Sequence, residues 1–527
     1  MKKKDLGILI LRDNLGKRIL RKIIYSRMIF NFLLILFQIF FFFLFIFKMN
    51  EYVEYFFGGS LALSFIFIIY LANCKGKHEF KMAWMVPVII FPLFGIFSYL
   101  MYHLNYGGIQ FNKKLQKIKL QTKEFLPDSK VLHQIEKQNS YIANLSHFLA
   151  TQGNFFPSKK NKVDYFSCGE QFYPVLFEAL TNAKEFIFIE FFIIEADETW
   201  MLLLEILEKK IKEGVEVRVL CDGVGSVVAS SKAYQKYLAL KGIKAQVFLP
   251  LIPFFSTSLN NRDHRKIVVI DGKTAFTGGV NIKNEYFNIG KNRFAYWKDN
   301  AIKIQGPAIR NLTTMFLQNW NVGLKNQKED YAKYICRDYP EFSDEKGIVI
   351  PYGDDAHNQL DLAENVYLDI IYNAKKYLNI TTPYVLLSSH LQDALIFAAE
   401  RGVQVNIIVP SKPDHLVTFC VGKTYLKTLM DKGINIYLYQ KGFIHSKTFV
   451  CDDKIATVGS VNLDYRSLYH HFECGTVLYN LDIIQEIKND FLETLNDCCK
   501  MDEESYKKIP KRHKFLGRVM RIFAPLM

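Results

Sequence analysis

Two stretches of this chain repeat the same polar letters in the same order. His264, Lys266 and Asp271 lead to Gly278-Gly279 and Asn281, and His445, Lys447 and Asp452 lead to Gly459-Ser460 and Asn462. One His-x-Lys pair with a following Asp arises easily by chance. Two copies with the same Gly-Gly/Ser-x-Asn extension do not. The spacing has a physical meaning. Residues two apart on a strand project to one face, so each His and Lys form a pair. The glycines let backbone approach an anion closely, and the two Asn add side-chain donors. Brought together, the copies supply two imidazoles, two ammoniums and two amides. That set suits phosphodiester chemistry without a metal or other cofactor. One imidazole attacks phosphorus, the other protonates the leaving alcohol, and the ammoniums stabilise oxyanion charge. A lone His is most often a hydrogen-bonded structural residue, but that reading fails to explain a duplicated constellation.

The elements that carry these residues are themselves repeated. From about residue 155 onward, short apolar runs such as 185–192, 215–221 and 266–270 alternate with helical patterns, which indicates an α/β architecture. Asn182-Ala183-Lys184 precedes one strand and Asn373-Ala374-Lys375 another, while Gly214-Val215 and Gly402-Val403 each open a strand after a helix. The two copies are offset by 181 to 191 residues, far beyond a solenoid period. Two halves related by a pseudo-twofold axis, with one site between them, are expected at 155–335 and 336–500.

The N-terminal part differs in character. Residues 1–27 form a basic leader, followed by apolar runs at 28–47, 55–72 and 82–102. The first matches the roughly 20 residues that cross a bilayer. It lacks a small-residue cleavage site, so it reads as an anchor. An N-terminal transmembrane helical region at 28–105 is therefore expected. Pro87, Pro92 and Gly95 interrupt the third run, which is expected to dip into the membrane without crossing. Basic flanks then put the catalytic region on the cytoplasmic side. Residues 106–154 read as a linker. Residues 501–527 read as a basic amphipathic tail, able to lie among headgroups or to remain solvated. Net charge is +15, which favours an anionic partner, either nucleic acid or lipid. The nine cysteines show no CxxC pair and no zinc spacing.

The duplicated motif resembles that of the phospholipase D superfamily. The wider pattern is similar to bacterial cardiolipin synthases over nearly the whole chain. Val217 to Ser226, Asn261-Arg-Asp-His-Arg-Lys266, Thr382-Pro-Tyr384, Pro410-Ser-Lys-Pro-Asp-His415 and Asn462-Leu-Asp-Tyr-Arg-Ser467 carry that resemblance. It departs where Cys221 replaces a commoner aromatic residue, and where the first half has Gly-Gly in place of Gly-Ser. The resemblance implies two phospholipase D-like halves of mixed sheet flanked by helices. It also implies a carboxylate, downstream of each motif, that hydrogen-bonds each catalytic His. Glu473 is the candidate following His445, and Asp299 is the candidate for His264. Asp271 and Asp452 complete the motif, and fixing the turn after each strand is their more natural role. The implied activity joins two phosphatidylglycerol molecules into cardiolipin and glycerol at a bacterial cell membrane, through a phosphatidyl-histidine. Nucleic acid is not the expected partner, and oligomeric state stays open. Hydrolysis by the same intermediate, phosphatidylethanolamine as donor, and an inactive membrane scaffold are the rival readings.

Overall fold

A computed structural model describes residues 53–103, 106–127, 130–137, 141–226, 229–250, 261–324, 329–358 and 360–527, with a few positions between 36 and 47. Most of the first apolar run and the basic leader lie outside the described residues. Two compact units result, one from the described residues before 111 together with 522–527, the other from 111–521.

The first unit contains helices α1 (Val53–Asn73), α2 (His78–Ile90) and α3 (Pro92–His103). Leu71, Val88 and Tyr99 are buried at its centre against Phe67, Trp84 and Ile96. The third apolar run is broken at Pro92, whereas Pro87 is accommodated inside α2. Pro92 pushes the preceding Phe91 out of helical geometry, to φ −135° and ψ 78°. A Cβ on Gly95 would lie 2.5 Å from the Val88 nitrogen, so glycine is what allows α3 to cross α2 this closely. At about 1.5 Å per residue, 13 and 12 residues each fall short of a bilayer core. Helix α1 has 21 residues, Gly58, Gly59, Ser60 and Ser64 among them. Among the described residues no helix is long and apolar enough to cross a membrane, so the expected transmembrane region finds no spanning helix there. Leu61, Phe65, Ile66, Met82, Ile89 and Ile90 are nevertheless exposed.

The second unit is α/β. Strands β1 (Lys162–Phe166), β2 (Phe186–Phe191), β3 (Glu216–Asp222), β4 (Lys244–Phe248), β5 (Lys266–Ile270) and β6 (Thr274–Gly278) lie in its first half. The two-residue β7 (Trp297–Lys298) and β8 (Ala301–Gln305) complete that half. The second half contains β9 (Ile348–Asp354), β10 (Tyr377–Thr381), β11 (Gln404–Pro410), β12 (Asn435–Tyr439), β13 (Phe443–Ile444), β14 (Thr448–Cys451), β15 (Ile455–Gly459), β16 (Glu473–Tyr479) and β17 (Cys498–Lys500). The first sheet runs β1-β8-β6-β5-β2-β3-β4, and the second runs β9-β16-β15-β14-β10-β11-β12-β17. The two orders correspond strand for strand, with β17 added. In each sheet three strands are parallel and the motif strand, β5 or β14, is antiparallel to its neighbours. One hydrophobic core runs through both halves. Ile267, Val269, Met315 and Phe316 meet Val450, Val458, Phe472 and Cys474 in it.

Both segments that flank the two halves contain helices. Residues 106–154, expected as a linker, lie ahead of the first half. They form helices at Tyr106–Lys123, Lys130–Lys137 and Tyr141–Gly153, because apolar residues recur there at helical spacing. Ile135, Ile142 and Leu149 are fully buried, and Phe111 packs on Phe248 and Phe472. The expected basic amphipathic tail also contains a helix. The helix Lys511–Met520 docks on the helix Leu416–Asp431, where a Cβ on Gly517 would lie 2.3 Å from the Cys420 carbonyl oxygen. Its outer face still exposes Phe515 and Val519 beside basic residues.

Candidate active site

Each motif strand is buried on both faces, and its His and Lys are buried with it. His264, Lys266, His445 and Lys447 keep only 2 to 7% of their surface exposed. Each lysine ammonium turns back and donates to the carbonyl of its own His. The motif Asp residues have another task. Asp271 and Asp452 sit at φ 55° and 53°, just past the strand. Asp271 accepts the backbone N–H groups of Lys184, Glu185 and Phe186 at 2.7 to 2.9 Å. Asp452 does the same for Lys375, Lys376 and Tyr377. These carboxylates pin the Asn-Ala-Lys turns to the motif strands and stand apart from the catalytic set.

The downstream carboxylates are exchanged relative to the expectation. Glu473 Oε1 and Oε2 lie 2.9 and 3.0 Å from His264 Nδ1. Asp299 Oδ2 lies 2.6 Å from His445 Nδ1. Each half thus supplies the carboxylate for the other half's imidazole. The cause is strand pairing across the pseudo-twofold. The β7 and β13 segments pair in parallel, and His445 N–H donates to the Lys298 carbonyl at 2.7 Å. On the other side Phe472 N–H donates to the Arg262 carbonyl, and His264 N–H to that of Phe472. The residue before each carboxylate is therefore tied to the opposite motif.

The second motif position differs between halves for a physical reason. A Cβ on Gly279 would lie 2.0 Å from Asp299 Oδ1. Its counterpart Ser460 instead donates its hydroxyl to Glu473 Oε2. Asn281 is buried, and its Oδ1 accepts the Ile193 N–H at 3.1 Å. Its Nδ2, like Asn462 Oδ1, has no hydrogen-bond partner among the described residues. Unspent polar atoms at a buried site fit a ligand that supplies the partner.

Sequence reasoning missed His471. It is buried, its ring centroid lies 5.5 Å from that of His264, and its Nδ1 lies 3.6 Å from Glu473 Oε1. Its position two residues before Glu473 was the available signal. His264, His471 and Glu473 offer ligand atoms within 4.8 Å of one another, close enough to hold a metal ion. Phe192 packs edge-on to His264, whereas Tyr286 and Trp297 flank His445.

Burial sets the protonation pattern. It pushes His264 down to about 3 and His445 to about 4, which favours neutral imidazoles. In the tautomer whose Nδ1–H donates to the carboxylate, each Nε2 keeps its lone pair; at His445 the Lys447 Nζ also lies 2.9 Å from Nδ1. Burial opposes ionisation of Glu473, yet His264 and His471 hold it well below the carboxylate range. Lys447 and His445 do the same for Asp299. Burial lowers Lys266 to about 8 and Lys447 to about 7. A phosphodiester anion arriving here would restore their full charge.

Several known proteins are similar to this chain. The family described as "Cardiolipin synthase, PLD-like domain" matches residues 176–320 and 367–495, and a phospholipase D-nuclease N-terminal region matches 62–101. A cardiolipin synthase of a Geobacillus species is 32% identical over 505 residues, covering 92% of this chain and 97% of that protein. Cardiolipin synthase 1 of Staphylococcus epidermidis is 31% identical and covers 89% and 96%. An uncharacterized protein of Streptococcus mutans is 41% identical, covering 87% and 99%. The crystal structure of a Haemophilus influenzae phosphatidylserine synthase shares the fold, with TM-score 0.56 at 15% identity over 73% of this chain and 98% of that one. The site and the fold define an enzyme of the phosphatidyltransferase class. The chain belongs to the phospholipase D-like cardiolipin synthase family.

Proposed function

We propose that this protein transfers a phosphatidyl group from one phosphatidylglycerol to another, releasing glycerol and forming cardiolipin. The observation that carries this reading is the pair of crossed His–carboxylate dyads, each with a lysine beside it. The donor phosphate binds among Lys266, Lys447, Asn281 and Asn462. His264 Nε2 attacks phosphorus while Glu473 stabilises the imidazolium that forms. His445, held by Asp299 and charged in the presence of the phosphate anion, protonates the departing glycerol oxygen. A phosphatidyl-His264 intermediate remains. The terminal hydroxyl of a second phosphatidylglycerol then loses its proton to neutral His445 and attacks the same phosphorus. His264 leaves with its proton balance restored.

The exposed apolar surface of α1–α3 supports a membrane setting, with the basic leader 1–27 and the catalytic unit on the cytoplasmic side of a bacterial membrane. Residues 28–105 form its membrane region, and α2–α3 enter without crossing. The rival reading is hydrolysis, in which water takes the place of the acceptor hydroxyl.

The test is purified full-length protein in detergent with phosphatidylglycerol labelled in its terminal glycerol. Cardiolipin and free glycerol in equal amounts are expected, with or without a chelator, and both vanish in His264→Ala and His445→Ala. Phosphatidic acid as the sole lipid product would make the protein a hydrolase.

A further inference from the structure

His471 is a histidine that the transfer chemistry does not use. It is buried, with 8% of its surface exposed, and neither of its ring nitrogens makes a hydrogen bond among the described residues. Its place is fixed through the backbone. His471 N–H donates to the Arg466 carbonyl, and the next residue, Phe472, is hydrogen-bonded to Arg262 and His264. An imidazole kept from water with both nitrogens unspent costs stability, so those atoms point to a ligand that bonds them.

The neighbours say which ligand. His471 Nδ1 lies 3.6 Å from Glu473 Oε1, and His264 Nδ1 lies 2.9 Å from the same oxygen. Ligand atoms of the three residues all lie within 4.8 Å of one another. On a tetrahedral ion with bonds of about 2.1 Å, two ligand atoms sit about 3.4 Å apart, so side-chain shifts of about 1 Å bring all three onto one ion. Two imidazoles and a carboxylate are a recurrent zinc-binding set, with a fourth position for water. Glu473 is fully buried and brings the negative charge. Burial favours the neutral His264 that a metal requires. The Lys266 ammonium interacts with both His264 and Glu473 and disfavours any dication. Affinity must therefore come from bonds to nitrogen, which selects Zn²⁺ and Co²⁺ over Mg²⁺ and Ca²⁺.

We propose that His264, His471 and Glu473 form a binding site for a divalent transition-metal ion such as Zn²⁺, and that the bound ion switches the enzyme off. The ion is an inhibitor and takes no part in the transfer. Either nitrogen of His264 gives this result. Bound through Nδ1, the ion replaces the hydrogen bond to Glu473, the neutral ring carries its proton on Nε2, and no lone pair faces phosphorus. Bound through Nε2, the ion occupies the nucleophile itself. The inhibition rests on His264 as nucleophile in the proposed transfer, whereas the binding stands without it.

The experiment uses full-length protein in detergent, stripped with a chelator that is then dialysed away. Co²⁺ is the spectroscopic probe and Zn²⁺ the inhibitor. Wild type is expected to give the visible Co²⁺ absorption of a four-coordinate nitrogen–oxygen site, which Zn²⁺ abolishes. Zn²⁺ stops phosphatidylglycerol turnover, reversibly on chelation, while Mg²⁺ and Ca²⁺ at the same concentration do not. In His471→Ala the absorption is lost, and the inhibition constant for Zn²⁺, measured against that variant's own metal-free rate, rises by at least about 100-fold. His471→Asn behaves the same and replaces the alanine variant if that one lacks a cooperative melting transition. Glu473→Gln loses the absorption whatever its activity. Equal Zn²⁺ sensitivity in wild type and the folded His471 variant overturns the inference. So does an absorption that survives the loss of His471, since the exposed Cys336 or Cys499 would then hold the ion. A wild type that shows the absorption but turns over no phosphatidylglycerol upholds the metal site and overturns the transfer reading.

Discussion

The two half-sites have nearly the same letters and different surroundings. His264 faces both oxygens of Glu473, which also accepts from Ser460 and has His471 nearby. His445 faces one oxygen of Asp299, which Lys447 also helps to hold ionised, and its ring is boxed by Tyr286 and Trp297. A glutamate is one methylene longer than an aspartate. The longer side chain leaves room for a hydroxyl at Ser460, while the shorter one brings Asp299 against the backbone of Gly279. A duplicated unit has thus become chemically unequal at the site while staying equal in the scaffold. The lesson is that division of labour between the two imidazoles is written in their partners.

The sharpest way to break that comparison is to ask each imidazole for a different chemical service. His264→Ala and His445→Ala should each cost at least about 10³-fold in turnover of phosphatidylglycerol. A phosphodiester with a nitrophenol leaving group needs no proton donor. Burst release of nitrophenol is therefore expected to survive in His445→Ala and to vanish in His264→Ala. The reverse pattern would exchange the two roles.

The next effect concerns the Gly/Ser difference. Gly279→Ser places a Cβ where Asp299 Oδ1 now sits, so Asp299 must shift and His445 loses its partner. A loss of about 10²-fold in activity is expected, the size of a mispositioned acid–base group. Ser460→Gly removes one hydroxyl from Glu473, which retains His264, and should cost only several-fold. Equal losses in the two variants would mean that the halves are not asymmetric in the way the contacts imply. Steady-state kinetics with both variants at matched folded concentration decides it.

Much of this was legible beforehand, and the illegible part has a common cause. His264, Lys266, His445 and Lys447 announce themselves because strand periodicity is local and the motif occurs twice. Asp299 and Glu473 were recognisable as residues, but their pairing was not. It depends on β7 meeting β13 and on Phe472 meeting Arg262, contacts between segments far apart in the chain that leave no local pattern. Gly279 looked like a minor departure until Asp299 was seen against it. The break at Phe91 followed directly from Pro92, whereas the docking of the tail through Gly517 could not, since a glycine gives no sign of what it approaches. The helices of 106–154 leave only a faint local pattern because their apolar residues are spread among many lysines and glutamines, and their core partners lie in the sheets.

The smallest expected catalytic effect belongs to the motif aspartates, and it tests the equal side of the comparison. Asp271 and Asp452 each satisfy three backbone N–H groups and touch neither imidazole nor lysine in the contacts described above. Replacing either by Ala strands those donors, though the turns at 184 and 375 are partly open to water, which offsets part of the penalty. A destabilisation of about 1–3 kcal/mol is expected for each, similar in the two halves because the local geometry is the same. The rate per folded molecule should then stay within about two- to three-fold of wild type, since a turn that refolds correctly leaves the motif strand in register. Chemical denaturation gives the first quantity, and an active-site count from glycerol burst gives the second. A collapse of the per-site rate in a variant that remains folded would place these carboxylates in the chemistry after all. A loss confined to one half would show that the scaffold, too, has diverged.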